Sequence, residues 1–135
     1  MALELESTIM TEIGLGMSYQ WSNGSGSCEY MRQHAARELP SVIQKHHNAG
    51  EKIVKPDSNL MALMEQATRW DEDRYTLTIA WQVASYVIAA HIHAAYQPEE
   101  QRSGYLSKQE REIRRYCQPT RPASRYDNSW SKWSK

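Results

Sequence analysis

The chain contains no phenylalanine. Its aromatic side chains are eight tyrosines and five tryptophans, rings with a polar handle that suit half-buried and interface positions better than a deep core. Only two cysteines occur, Cys28 and Cys117, far apart and outside any CxxC pair, which excludes a disulfide framework and leaves at most one bridge between them. A signal peptide is not expected, because the N-terminal MALELESTIMTE is acidic and has neither a basic lead nor an apolar run. The Asn23-Gly24-Ser25 sequon carries no weight without such a signal. The most apolar stretch, AWQVASYVIAAHIHAAYQ, is interrupted by Gln82, Ser85, His91 and His93, so it does not read as a membrane span. The expectation is a cytoplasmic protein with reduced thiols and no membrane contact.

Catalytic signatures are missing too. SNGSGS lacks the following Lys-Ser/Thr and the preceding apolar strand of a phosphate-binding loop, and there is no GxSxG and no HExxH. Cys28 is a candidate nucleophile only in so far as a helix N-terminus lowers a thiol pKa, and no partner histidine is assigned to it. Paired acids such as Glu99-Glu100 and Asp71/Asp73 fit solvated helix starts. No catalytic residue, cofactor or metal is therefore expected, and the protein is read as non-enzymatic.

What is present suits one domain. A chain of 135 residues with 40% hydrophobic and 24% charged residues can bury a core without a metal or cross-link. The formal net charge is zero, but it is unevenly spread. Residues 1–31 carry Glu4, Glu6, Glu12 and Glu29 and no basic residue, whereas residues 106–135 carry eight basic residues against three acidic ones.

Helical signals dominate. Residues 2–13 have helical composition and end at Gly14 and Gly16. MSYQWS alternates in the strand manner, but its partner segment is poor, so a loop is expected there. Ser27 is placed to cap a helix over 28–38, and Pro40 to break or kink it or, alternatively, to open a second short helix that stops at Gly50. Asp57 or Ser58 caps NLMALMEQATRW, in which Glu65 and Arg69 form an (i, i+4) pair. Strict alternation in YTLTIAWQV favours a strand. The segment nevertheless runs on for over twenty residues without glycine or proline and turns alanine-rich, which favours a helix over about 74–96. On that helix Leu77, Trp81, Ala84, Ile88, Ile92 and Ala95 form one apolar face and Ile79, Val83, Tyr86 and Ala90 a second. A narrow polar strip runs through Gln82, Ser85 and His93, and such a helix belongs in the middle of a bundle. Pro98 to Gly104 reads as a turn. Ser107 and Glu110 then form a capping box for a helix over about 108–117.

His91 and His93 diverge by about 200° on a helix, so they grip one ion only if the segment is a strand. His46-His47 diverge likewise, near a helix C-terminus that suits imidazole. His34 and Glu38 share a face, but two ligands are not a site.

The remaining signal is basic. Lys108, Arg111 and Arg115 lie within about 60° of one another on the capped helix, with Arg114 adjacent. Arg121, Arg125, Tyr126, Trp130 and Trp133 follow in a segment without apolar periodicity. Basic residues attract phosphates and aromatics stack on bases. Trp, Tyr and Arg also dominate protein interface hot spots. A solvated tail folding back on the acidic N-terminal segment is the third option.

The expectation is an all-α bundle of four or five helices around 74–96, forming a single helical domain over 1–118 with an extended basic arm over 119–135. A small regulatory protein of the phage or plasmid type would bind nucleic acid, or a nucleic-acid-handling complex, through the basic helix and arm. The alternatives are a protein-binding inhibitor or assembly adaptor using Trp/Tyr/Arg anchors, and a small metal-dependent hydrolase using His91 and His93. Self-association into a homo-oligomer stays open.

Overall fold

A computed structural model describes residues 2–15, 25–70 and 78–117, with side chains described over 4–15, 32–67 and 80–117. Its elements are α1 (Ala2–Glu12), α2 (Ser25–Asn48), α3 (Ser58–Trp70), α4 (Thr78–Ala94), a 3-10 turn (Glu99–Gln101) and α5 (Arg102–Cys117). The protein is all-α, as its sequence leads one to expect, and there is no strand among the described residues. The strand-like MSYQWS, the start of the expected 74–96 helix and the whole arm 119–135 lie outside them.

α4 is the hub. It packs against α1, α3 and α5, while α2 reaches the bundle mainly through α3. Its Val83, Ala84, Val87, Ile88 and Ile92 are buried, which matches a helix apolar over much of its circumference. They meet Ile9 of α1 and Ile13 just past it, Leu39 and Ile43 of α2, Leu60, Leu63 and Met64 of α3, and Ile113 of α5 in one continuous core.

Two rim residues correct the expected faces. Trp81 is 40% exposed, and its indole N–H donates to the Leu15 carbonyl at 3.0 Å. It ties the turn after α1 to the start of α4, because the indole donor needs a partner that an apolar core cannot supply. Tyr86 is 44% exposed and belongs with the polar strip, lying within about 40° of Gln82 on the helical wheel.

The helix ends follow local chemistry. Gly14 (φ 89°) and Gly50 (φ 84°) adopt left-handed backbone that costs other residues strain. Beyond each, the chain turns back to bond the last turn: Leu15 N–H to the Met10 carbonyl at 2.8 Å, and Glu51 N–H to the His46 carbonyl at 3.2 Å. Asp57 caps α3 by accepting from the Leu60 amide at 3.1 Å.

Three expected boundaries move. α2 begins at Ser25, so Ser27 lies inside it, and it runs on through Pro40 without a second helix starting. Proline removes one intrahelical bond, yet Ala35 and Leu39 before it and Ile43 after it bury on the same face, so both halves gain from one shared axis. α5 begins at Arg102 rather than after a turn through Gly104. The 3-10 turn Glu99–Gln101, preceded by Pro98, leads straight into it. Ser107 is therefore helix interior rather than a cap, and Glu110 pairs with Arg114 at 2.9 Å instead. The Arg102 guanidinium holds the junction by donating to the Ala95 and Gln97 carbonyls at 3.2 and 3.1 Å, which lie in the turn just after α4.

Candidate nucleic-acid interface

α5 buries Ile113 and Cys117 against the core, which turns the opposite side of the helix to solvent. Lys108, Arg111 and Arg115 are all exposed on that side, as their spacing implies. Arg115 is partly committed: its guanidinium donates to Glu112 at 2.8 Å and lies 5.6 Å from the centre of the Tyr116 ring. Arg114 does not join them. It points across the bundle, donating to Glu110 on its own helix and to Gln66 of α3, each at 2.9 Å, so it fastens α5 to α3. Arg121, Arg125, Tyr126, Trp130 and Trp133 lie outside the described residues.

Beside the cations runs an open groove between α4 and α5 that composition and spacing along a single helix do not reveal. α4 contributes Tyr86, Ala89 and His93, and α5 contributes Tyr105, Glu112 and Tyr116. Tyr116 is 72% exposed. Each wall taken alone is legible in the spacing of its own helix, and only their pairing is not. Tyr86 and His93 are seven residues apart, Tyr105 and Tyr116 eleven, and both separations return a helix to nearly the same face. Burial pushes the Tyr105 phenol above its ordinary value of 10.0.

The histidines separate as helical geometry requires. His93 is exposed, whereas His91 is 0% exposed and has both ring nitrogens engaged. The Asp57 amide donates to Nε2 at 2.9 Å, so Nδ1 carries the proton and donates to the Val87 carbonyl at 2.7 Å. No lone pair is left for a metal, and His91 and His93 form no clamp. The Val54 amide also donates to the His91 carbonyl at 3.2 Å, so this one residue holds the 51–57 connector at two points. Burial, outweighing the Val87 bond and the Asp57 charge, lowers the His91 pKa below 6.5.

His46 sits between two carboxylates. Nε2 meets Glu12 at 2.7 Å and Nδ1 meets Glu51 at 2.9 Å, while Lys45 reaches Glu12 at 2.7 Å. Burial lowers its pKa, but the bonds to Glu12 and Glu51 outweigh this and raise it above 6.5. The Lys45 bond, with help from His46 and against burial, holds Glu12 below 4.5. A histidine flanked by acids is a familiar acid–base pattern. Here both ring nitrogens are occupied by the flanking carboxylates, so the cluster fastens α1, α2 and the connector together and offers no nitrogen to a substrate. His47 likewise spends Nδ1 on the Ile53 carbonyl at 2.8 Å. Among the described residues no three His, Cys, Asp or Glu side chains come together to hold a metal ion. Cys117 is free and buried, and burial raises its thiol pKa.

Comparisons with known protein families, with curated proteins and with solved structures gave no match to this chain. No helix among the described residues is long and apolar enough to cross a membrane.

Proposed function

We propose that the protein is a non-enzymatic regulatory protein that binds nucleic acid, or a nucleoprotein complex, through the outward face of α5, continued by the basic arm 119–135. The observation that carries this reading is the shared exposure of Lys108, Arg111 and Arg115 on one side of a helix whose other side is fixed in the core. Three cations held on a rigid element keep the orientation that phosphate contacts need, and each contact releases counterions. Arg111→Ala should weaken binding and reduce the salt slope by about one phosphate contact, with Arg115→Ala acting in the same direction. Deleting 119–135 should leave the bundle folded, because every described core residue precedes it, yet weaken binding by removing four basic residues. A binding series on these variants at two salt concentrations tests the reading. Full-strength binding by the truncated chain would take the arm out of the mechanism.

A protein partner is the second reading, supported by the exposed rings of Trp81, Tyr86, Tyr96 and Tyr116. In that case Trp130→Ala or Trp133→Ala should dominate, with a loss above about 2 kcal/mol and little salt effect.

A further inference from the structure

We infer that the groove between α4 and α5 receives the bases of a single-stranded nucleic acid, with Lys108, Arg111 and Arg115 along its rim contacting the phosphates. The inference rests on the nucleic-acid reading of α5 and names the form of nucleic acid that this face fits. In a duplex the faces of the bases are covered by their neighbours, so aromatic side chains on a protein surface have nothing to stack on. A single strand presents those faces, and ring stacking adds to affinity with little regard to sequence. The groove supplies such rings from both walls: Tyr86 and His93 from α4, Tyr105 and Tyr116 from α5.

Tyr105 and Tyr116 are separated by about 16 Å along the helix axis, so their rings serve different bases rather than one. The cations on the same helix run parallel to this line, as a backbone following the groove requires. Glu112 is the one carboxylate among the described residues lining the groove, and the Arg115 guanidinium already balances it at 2.8 Å. Arg115 also lies against the Tyr116 ring, so cation and stacking platform are set side by side before any ligand arrives.

The test is fluorescence anisotropy on the full chain, with labelled single-stranded DNA and RNA oligonucleotides of mixed sequence and the DNA duplex of the same sequence, at low and moderate salt. Single strands should bind more tightly than duplex. Tyr86→Ala and Tyr116→Ala should each weaken single-strand binding by about 5-fold to over 100-fold. Tyr116→Phe should retain binding, because the ring and not the hydroxyl is needed. Glu112→Gln should tighten it by removing charge that repels phosphate. Tyr86 and Tyr116 are both exposed, so their truncation leaves the core intact, and circular dichroism verifies this. Duplex binding at least as tight as single-strand binding, weakened by Arg111→Ala but indifferent to the tyrosines, would overturn the groove and leave the basic face standing. Absence of binding to all three probes at low salt would overturn both.

Discussion

Replacing Ile88 by alanine should destabilise the protein by about 2–5 kcal/mol, which for a chain of this size lowers the melting temperature by roughly 10–20 °C. Ile88 is 0% exposed and lies in the part of α4 that faces its neighbours. Truncating it removes three carbons from a close-packed site and leaves a cavity where α1, α3 and α5 converge on α4. α1 and α5 are also tied to α4 and its flanking turns by hydrogen bonds: Trp81 to the Leu15 carbonyl just past α1, Ser85 to Glu6, and Arg102 to the Ala95 and Gln97 carbonyls just past α4. They can close on the cavity only by breaking such ties, which places the cost toward the upper part of the range. Tyr86→Ala on the same helix should cost less than about 1 kcal/mol, because that ring is already largely in solvent. Chemical denaturation of the two variants measures the contrast. A cost below about 0.5 kcal/mol for Ile88 would remove α4 from the centre of the bundle.

The contrast between Ile88 and Tyr86 also marks how far the chain could be read without its structure. The helical wheel places Ile88 in the core because it lies within an apolar face of a helix that is apolar over most of its circumference. It misplaced Tyr86, since a tyrosine scores as apolar whether its ring packs or stands free. Stops at Gly14 and Gly50 and the Asp57 cap were legible, because each depends on a few adjacent residues. Passage through Pro40 was not. Local geometry argues for a break there, and the opposing gain comes from core contacts on both sides of the proline. The early start of α5 was hidden for a related reason: Arg102 secures it by reaching back to carbonyls of the preceding turn.

At the candidate interface, the shared face of Lys108, Arg111 and Arg115 was legible because helical periodicity is a property of one segment. The inward turn of Arg114 was not, as its partner Gln66 belongs to a different helix. The tyrosine groove was missed for the same reason: each wall is visible in its own spacing, but only packing of α5 on α4 sets the walls side by side. The separation of His91 from His93 followed from helix geometry alone. The carbonyl and amide that occupy both nitrogens of His91 did not, since Asp57 lies a whole helix away in sequence.

His91 should prove the most sensitive histidine. His91→Ala should cost about 3–5 kcal/mol, combining the cavity with a partly buried Asp57 amide left without its acceptor. His91→Leu refills the volume and should retain a loss of about 1–3 kcal/mol, the share belonging to that amide. Protonation produces a related injury without mutation, because an imidazolium would turn a second N–H toward the Asp57 amide. Burial holds the folded pKa of His91 below the ordinary 6.5, so below pH 6.5 the unfolded chain takes up a proton that the folded chain refuses. The stability from His91 is complete above pH 6.5 and is lost as pH falls toward the folded pKa. His46 has the opposite sign. Glu12 and Glu51 raise its folded pKa above 6.5, so its contribution is complete below pH 6.5 and is lost as pH rises through the folded value. Together the two groups should give a stability maximum near pH 6.5, each limb falling by at most about 1.4 kcal/mol per pH unit. Glu12, held below 4.5, stays ionised across this range and does not blur the acid limb. Denaturant midpoints measured from about pH 5.5 to pH 8 should trace this dome. In His91→Leu the acid limb should flatten and the alkaline limb persist, and in His46→Gln the reverse. A wild-type profile that rises steadily through this window, unchanged by His46→Gln, would show that His46 is not held charged between Glu12 and Glu51.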